Sequence, residues 1–430
     1  MSRSQRCRVE PRLLQLVPAT RRFERAESGR SRKGSQGPIR GTILACHIKT
    51  RQAKLRPFDS ITLDLLSYPF PRAQKRDPTR AAMRTYWIAA IPGDGIGEEV
   101  IPLGIELLRA LASREGDFAL LFDVLPWGAA HYRATDCFAP VGALDQLRRY
   151  DAIYFGTFGD TTIPDDVVRW YWWIPVSRAL DHYASIRPIR MLHGIRGPLQ
   201  DCKACHIDWV LVRDNGGQEF TSDSRLVRRA SRGIGDPAFV RAFQIMRVAL
   251  EVAHSRPRRR LSIVTGSRTE PAEHLIWERA SAATRNDFPE VAIDAEPIHT
   301  VLSRMTQRPE SLDTIIAIGS HANVVANLGT SFAGGHVHLP SANLDPSRRC
   351  PASFGPVHGP AFDIAGRGIA NPIGVLWSAA LMLEHLGECN AALRLLRAIE
   401  HVIAGRSWLT PDLGGTATTR EVANAVLAEL

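Results

Sequence analysis

The 430-residue chain lacks the sequence features that are typical of secreted and membrane proteins. Its seven cysteines are scattered, too few for the disulfide framework of a secreted protein and compatible with a reducing cytosol. No apolar run reaches the roughly 20 residues that a transmembrane helix needs. The N-terminus lacks the basic, apolar and cleavage regions of a secretory signal. These absences predict a cytoplasmic protein that does not contact a membrane.

The positive charge of the chain is unevenly distributed. The net charge is +10, a value that would favour a nucleic-acid partner if it were spread over a folded surface. Residues 1–84 carry 20 Lys and Arg against six Asp and Glu. The rest of the chain has 34 basic and 38 acidic residues, a net charge of −4. The main body is therefore mildly acidic, and we expect no nucleic-acid function.

Residues 1–82 form an Arg-rich extension without sustained hydrophobic periodicity, which predicts disorder. Two explanations of this extension remain open. It resembles the Arg-rich, acid-poor transit peptide of an organelle, or it reflects a start codon upstream of the true one at Met83. We favour the second and infer no function from the extension.

From Thr85 onward, short apolar runs alternate with amphipathic stretches, a pattern typical of α/β proteins. The first predicted strand, Tyr86–Ile91, leads into Gly93-Asp-Gly-Ile-Gly97 and a helix over Glu98–Leu111. A strand, a glycine loop and a helix can bind phosphate. The glycine spacing, however, does not match the dinucleotide fingerprint Gly-x-Gly-x-x-Gly. Further strands are predicted at Asp151–Phe155, Ser185–Arg190, Trp209–Val212, Leu261–Thr265, Val291–Asp294 and Thr314–Ile318.

The sequence Cys202-Lys-Ala-Cys205-His206 matches a haem-attachment pattern. It lies in a short loop without an export signal, so we favour chance or a redox-sensitive pair. A structural zinc site would need a fourth ligand.

A glycine-rich stretch near the C-terminus is the most informative part of the chain. Glycines at 359, 366 and 368 permit tight turns and close approach to a ligand. His358, Asp363 and Asn371 add polar groups that can bind hydroxyls and ring nitrogens. An apolar run over Ile373–Leu386 predicts a buried helix behind the loop. Composition alone is also compatible with an ordinary glycine-rich loop.

The motif His358-Gly-Pro-Ala-Phe-Asp-Ile-Ala-Gly-Arg-Gly-Ile-Ala-Asn371-Pro372 resembles the nicotinamide-nucleotide loop of the isocitrate/3-isopropylmalate dehydrogenase family. Two flanking segments are most similar to the tartrate dehydrogenase/decarboxylase branch: Leu339-Pro-Ser-Ala-Asn-Leu-Asp-Pro-Ser-Arg-Arg349 and Trp377-Ser-Ala-Ala-Leu-Met-Leu-Glu-His-Leu-Gly387. The resemblance begins near Met83 and continues to the C-terminus.

The resemblance implies a homodimer of two-domain subunits, each built on a large mixed sheet flanked by helices. Residues 83–182 and 340–430 would form a large nucleotide-binding domain. Residues 183–339 would form a small dimerisation domain.

The resemblance also implies oxidation of a 2-hydroxy acid by NAD, often followed by decarboxylation. Arg187 and Arg213 would bind the substrate carboxylate, because a guanidinium pairs with both carboxylate oxygens. The first arginine of that set is replaced by Trp173. A nicotinamide-side glutamate is replaced by Gly355. The remaining loop residues imply weak NAD binding; they are His358, Gly359, Ala361, Asp363 and Asn371.

The residues implied to move protons are missing. Gly266 stands where the family has its lysine, and Phe220 where it has its acid tyrosine. Neither side chain can donate or accept a proton.

The positions implied to bind Mg²⁺ or Mn²⁺ carry His299, Asn323 and Asn327 instead of aspartates. Hard divalent cations favour charged oxygen ligands, so we predict that this metal site is lost. A His/Asn/Asn site for a softer metal is the less favoured alternative.

The sequence therefore predicts a degenerate family member that binds a nucleotide or a small dicarboxylate, with catalysis impaired or lost. An active NAD-dependent tartrate- or malate-type dehydrogenase with rearranged groups, such as His299 or His321, is the alternative. A third hypothesis is a pure interaction role, for example with an active paralogue.

Overall fold

The computed structural model describes residues 83–200, 202–215, 237–266 and 271–430. The prediction of disorder for residues 1–82 lies outside the described residues and stays a prediction. The described chain is built on one ten-stranded sheet. Its strands are β1 (Arg84–Gly93), β2 (Phe118–Val124), β3 (Ala152–Thr157), β4 (Ala184–Arg190), β5 (Asp208–Asp214), β6 (Arg260–Thr265), β7 (Ala292–Pro297), β8 (Thr314–Ala317), β9 (Pro340–Leu344) and β10 (Ala352–Pro356).

The strands follow the spatial order β2-β1-β3-β10-β9-β4-β5-β8-β6-β7. The outer pairs on both sides are parallel, whereas β9 pairs antiparallel with β10 and with β4, and β4 pairs antiparallel with β5. The sheet is therefore mixed. The strands of both chain ends lie at one side of it, and β4 to β8 lie at the other.

Helices alternate with the strands along most of the chain. They are α1 (Gly97–Glu115), α2 (Ala129–Thr135), α3 (Ala143–Leu147), α4 (Asp165–Val168), a π-helical turn (Arg169–Trp173), α5 (Ile174–Ala179), α6 (Pro237–Ser255), α7 (Pro271–Thr284), α8 (Ile298–Gln307), α9 (Gly319–Phe332), α10 (Ile373–His385), α11 (Cys389–Gly405) and α12 (Thr419–Glu429).

Apolar side chains pack on both faces of the sheet. Successive residues of a strand point to opposite faces, so Ile153 and Phe155 contact the aromatic layer around Trp172. Tyr154 and Phe354 face α1 and the C-terminal helices. On the other half of the sheet, α6 and α7 cover one face and α8 and α9 cover the other. Burial on both faces explains why β3, whose six residues are all buried, is apolar throughout.

The predicted α/β class with a mixed sheet is confirmed, and the long apolar runs are strands close to their predicted bounds. The short strands β9 and β10 were not predicted from hydrophobic periodicity, because prolines and polar residues interrupt them. The division into two domains stays a prediction. In the described part of the chain, no helix combines the length and the apolarity needed to span a bilayer.

Candidate active site

The candidate site lies where the hydrogen-bonded pairing of the central strands β3, β10, β9 and β4 ends. The β3–β10 pairing stops at Tyr154 and Phe354, and the β4–β9 pairing stops at Ile186 and Ala342. The next residues in register form a row across the sheet, in the order Phe155, Gly355, Ser341 and Arg187. Neighbours in register share a face, so the side chains of this row project to the same side of the sheet. The row runs from the aromatic layer on β3 towards α9.

Arg187 and Arg213 lie together on β4 and β5. Ser185 is the direct partner of Arg213, so Arg187 is its diagonal neighbour on the same face. The Nε atoms of both arginines are buried without a hydrogen-bond partner. Burial, and then the positive charge of Arg213, lower the pKa of Arg187 to about 9. These two half-buried guanidinium groups are still charged at neutral pH and therefore favour the binding of an anion.

Arg213 also contacts Asn323, one of the positions that the resemblance assigns to the metal. Its Nη2 donates to the Oδ1 of Asn323 over 2.9 Å. Asn323 stands in the first turns of α9, which begins directly after β8. The carbonyl oxygen that would face a cation is therefore bound by a cationic side chain.

The other two metal positions are exposed. Asn327 lies one helical turn after Asn323, and His299 lies near the start of α8. None of the three side chains carries a carboxylate, and Mg²⁺ and Mn²⁺ bind amide oxygens and imidazole only weakly. With a guanidinium also at Asn323, these residues do not fit the metal that the resemblance implies.

One cluster of potential ligands exists elsewhere in the described part of the chain. The donor atoms of Asp181, Asp345 and Cys350 lie within 4.8 Å of one another. Asp345, however, holds its own loop together, because its carboxylate accepts hydrogen bonds from Ser347 and from the Arg349 amide. The cluster is explained as a structural turn.

Gly266, at the position that the resemblance assigns to a lysine, is half-buried directly after the end of β6. Lys203 is the only lysine after residue 82. It precedes the N-terminal end of β5, whereas Arg213 lies near the C-terminal end, five residues of extended strand or about 16 Å from Asp208. Among the described residues, no lysine therefore lies close enough to Arg213 to act as the proton acceptor. Phe220 lies outside the described residues.

Trp173 belongs to an aromatic layer beside the row. Its ring is edge-on to Phe155 at 5.2 Å and to Phe158 at 5.3 Å between centroids. Trp172 stacks on Phe158 at 4.6 Å and is 4% exposed, whereas Trp173 is half-buried. The two tryptophans thus differ, since Trp172 is core and Trp173 has accessible ring surface.

The glycine at 355 is required by this packing. A Cβ at Gly355 would lie 2.5 Å from the Phe155 ring and 2.6 Å from the Phe155 carbonyl oxygen. A glutamate therefore cannot occupy position 355 unless the backbone and the Phe155 ring move.

The nucleotide-loop motif connects β10 to α10 and is fastened at two places. The Glu99 carboxylate of α1 accepts hydrogen bonds from the amides of Gly366 and Gly368. Asn371 is 2% exposed, donates to Asp412 over 2.9 Å and accepts from the Ile373 amide over 3.0 Å. Asn371 thus holds the loop and the start of α10. Glu99 and Asp412 had no motif that sequence reasoning could have used.

The remaining loop residues leave groups free for a ligand. His358 Nδ1 lies 3.1 Å from the Gly359 carbonyl oxygen, so this nitrogen carries the proton and Nε2 is an acceptor. Nε2 is buried without a hydrogen-bond partner, and burial lowers the pKa of His358. Asp363 is exposed, and a Cβ added at Gly359 would meet no atom within 4 Å. Ala361 adopts φ 44°, which turns the chain between these residues.

The earlier glycine loop serves packing. A Cβ at Gly95, where φ is +60°, would lie 2.2 Å from the Pro360 carbonyl oxygen. A Cβ at Gly93 would lie 1.9 Å from the Thr157 carbonyl oxygen. These glycines let the loop lie against β3 and the nucleotide loop. Asp94 between them accepts hydrogen bonds from the amides of Ala129 and Gly159.

The Cys202–His206 motif lies in a short loop before β5. Residues Ala204–His206 form a 3₁₀ turn, and the His206 Nδ1 accepts a hydrogen bond from the Lys203 amide. Both cysteines are free thiols. The motif is separate from the row of the candidate site.

Comparisons with known proteins agree with this arrangement. The isocitrate/isopropylmalate dehydrogenase family model matches residues 87–426. The chain belongs to this family. The resemblance inferred from the nucleotide loop is thereby confirmed.

Individual relatives place the chain more closely. It is 43% identical over 352 residues to a probable tartrate dehydrogenase/decarboxylase of Agrobacterium vitis, covering 80% of this chain and 96% of that protein. It is 38% identical to the decarboxylating D-malate dehydrogenase of Escherichia coli, covering 80% and 98%. The isocitrate dehydrogenase structure from Methylococcus capsulatus matches with a TM-score of 0.67 at 23% identity, covering 80% and 99%. The chain is thus a tartrate dehydrogenase/decarboxylase-like member of an oxidoreductase family.

Proposed function

We propose that this family member binds NAD and an organic acid in a cleft between the nucleotide loop and the row that ends at Arg187. It has impaired or lost the metal-dependent oxidation and decarboxylation of its relatives. The observation that carries the proposal is the hydrogen bond from Arg213 to Asn323. A family metal position holds a neutral amide whose oxygen is already bound by a cation. Such a position repels Mg²⁺ or Mn²⁺ instead of attracting it.

The nucleotide loop supports NAD binding. The buried, unpartnered Nε2 of His358 can accept a hydrogen bond from an adenine amino group. The exposed carboxylate of Asp363 suits ribose hydroxyls. Gly359 leaves space for the base, and Asn371 keeps the loop in place through Asp412. NAD, when bound, would supply the hydride acceptor.

The arginine pair supports binding of a carboxylate. Arg187 forms no ion pair with any described residue, and its diagonal neighbour Arg213 has the same sign. A bidentate carboxylate would neutralise charge that the protein leaves uncompensated. This is the role that the family resemblance implies for both residues.

The loss of turnover follows from the chemical groups that are absent. General acid–base groups each contribute about 10²–10⁴ in rate. Gly266 cannot accept the hydroxyl proton, and no lysine among the described residues lies near Arg213 to replace it. A guanidinium is a poor general base because it stays protonated near neutrality. Arg213, whose guanidinium is bound to Asn323, therefore cannot take over the role of a general base.

The proposal is tested by calorimetric titration of the full chain with NAD, with and without Mn²⁺. We expect NAD binding that Mn²⁺ does not strengthen. Asp363→Ala should weaken it on the order of tenfold, because ribose hydroxyls lose a charged acceptor. Asp145→Ala, which removes an exposed aspartate on α3, is the matched control. Absence of NAD binding, or full binding by the Asp363→Ala variant, would refute the assignment.

The alternative is an active NAD-dependent dehydrogenase of tartrate or malate type. The similarity to the Agrobacterium vitis and Escherichia coli proteins favours it. His321 on α9 is half-buried near Asn323, and His299 is exposed on α8. Either could act in a rearranged site. NADH formation from tartrate or malate, abolished by His321→Gln or His299→Gln, would establish this alternative.

Subunit organisation belongs to the same proposal. We carry over from the family a homodimer and the division into residues 83–182 with 340–430 and residues 183–339. Sedimentation velocity of the purified chain tests the dimer, since a monomer at micromolar concentration would contradict it.

A further inference from the structure

The aromatic layer changes what the cleft can recognise. In the family, the position of Trp173 carries an arginine that helps to bind a second polar group of the substrate. Here an indole occupies the position, in edge contact with Phe155 and Phe158. A neutral ring cannot pair with a second carboxylate, so the cleft has one cationic end and one apolar end.

The cationic end at Arg187 and the apolar end at Phe155 and Trp173 are separated by a distance that a small organic acid can span. Gly355 and Arg187 flank Ser341 in the row, and adjacent strands lie about 4.8 Å apart. The backbones of Gly355 and Arg187 are therefore about 10 Å apart. The ring of Phe155 lies over Gly355, so the apolar surface reaches one strand closer to the arginines than its own backbone. A carboxylate on Arg187 would thus place a three-carbon chain and its substituent towards Phe155 and Trp173.

The ring of Trp173 is positioned to contact such a substituent. Trp172 is buried as the anchor of the layer, while Trp173 keeps accessible surface. A ring–ring contact between a ligand and a fixed aromatic side chain contributes binding free energy beyond that of the apolar area it buries. Because Phe155 and Phe158 already hold the Trp173 ring, little side-chain entropy is lost on binding.

We propose that the organic acid bound in this cleft is a 2-hydroxy or 2-oxo monocarboxylate with an aromatic side chain, its carboxylate on Arg187 and Arg213 and its ring against Trp173. This inference rests on the proposed function, since it uses the same arginines. It departs from the dicarboxylates that the sequence alone predicted. Trp173 is then the residue that determines specificity.

The experiment compares the affinities of the NAD-saturated full chain for 3-phenyllactate, malate and tartrate by calorimetry. We expect 3-phenyllactate to bind at least tenfold more tightly than either dicarboxylate. Trp173→Leu should remove most of this preference, because an apolar side chain remains but the ring contact is lost. Trp173→Arg should invert the preference. Trp170→Leu, a change at an exposed tryptophan of the same π-helical turn, should leave all affinities unchanged.

The outcomes separate the two proposals. Equal or tighter binding of malate or tartrate, abolished by Arg187→Met, would overturn the aromatic specificity and leave carboxylate binding intact. Phenyllactate binding that is insensitive to Trp173→Leu would also overturn it. If none of the three acids binds, both proposals fail. If Trp173→Arg does not fold, the affinities of Trp173→Leu alone test the aromatic specificity.

Discussion

The nucleotide-loop side and the metal side of the cleft differ in how far their polar groups serve the fold. On the loop side, Glu99 and Asn371 each make two hydrogen bonds that hold backbone segments together. On the metal side, His299 and Asn327 are exposed and hold no other element in place. Residues of the first kind cannot be exchanged without a cost in stability, whereas residues of the second kind can.

This difference offers a physical reason why the family's scaffold can persist when its chemistry is lost, as we propose for this chain. Metal-binding carboxylates are needed for turnover, but a cluster of them repels itself and stabilises nothing when no cation is bound. Their replacement by amides and imidazole is therefore neutral for folding. Loss of Asn371 would leave the buried Ile373 amide unpaired, and loss of Glu99 would release the amides of Gly366 and Gly368. The predictions below test this asymmetry, from the largest expected effect to the smallest.

The largest effect is expected at the contact between the glycine loop and the nucleotide loop. Gly95→Ala places a Cβ 2.2 Å from the Pro360 carbonyl oxygen at a residue with φ +60°. Left-handed strain and a backbone clash together should cost about 3 kcal/mol or more of the free energy of unfolding. Urea unfolding at neutral pH measures the loss.

Gly359→Ala is the matched control for that change, since it adds the same methyl group where no atom lies within 4 Å. We expect a change below about 0.5 kcal/mol. If both variants were equally stable, the packing role of the early loop would be wrong.

A second effect on the loop side depends on pH. His338 is fully buried, and burial lowers its pKa to about 4. The unfolded chain, with a pKa near 6.5, therefore binds more protons between these values. Stability is then complete above pH 6.5 and is lost as the pH falls towards 4. For this residue the loss between pH 7 and pH 5 should be about 2 kcal/mol.

His338→Leu should remove that share of the acid destabilisation, measured as the difference between urea unfolding at pH 7 and pH 5. His385, whose pKa burial also lowers to about 4, contributes in the same direction and remains. His193→Leu, at an exposed histidine, should leave the difference unchanged. An unaltered difference in His338→Leu would show that the ring is not held neutral.

The smallest effects are expected on the metal side, and one has the opposite sign. Arg187→Met removes a half-buried cation that forms no ion pair with a described residue, and should stabilise the protein by about 1 kcal/mol while abolishing carboxylate binding. His299→Ala and Asn327→Ala should change stability by less than about 0.5 kcal/mol. Thermal unfolding of the three variants measures this. Destabilisation by more than about 2 kcal/mol in His299→Ala or Asn327→Ala would remove the contrast between the two sides.

Sequence reasoning reached the fold class and the long strands because hydrophobic periodicity is a local signal. It proposed Arg187, Arg213 and the nucleotide loop as site residues because their motifs are contiguous. It missed Glu99 and Asp412, which lie far along the chain from the loop that they hold. It also left Trp173 without a role, because the contact with Phe155 and the need for Gly355 depend on strand register. The adjacency of Arg213 and Asn323, 110 residues apart, likewise required the three-dimensional structure.

The most direct test of the account is NADH formation by the unaltered full chain with NAD, Mn²⁺ and either tartrate or D-malate. The decarboxylating D-malate dehydrogenase of Escherichia coli, assayed alongside with D-malate, verifies the assay. We predict no NADH above the level without enzyme. A variant combining His299→Asp, Asn323→Asp, Asn327→Asp, Gly266→Lys and Phe220→Tyr should raise the rate by at least about 10². Clear Mn²⁺-dependent NADH formation by the unaltered chain would contradict the account.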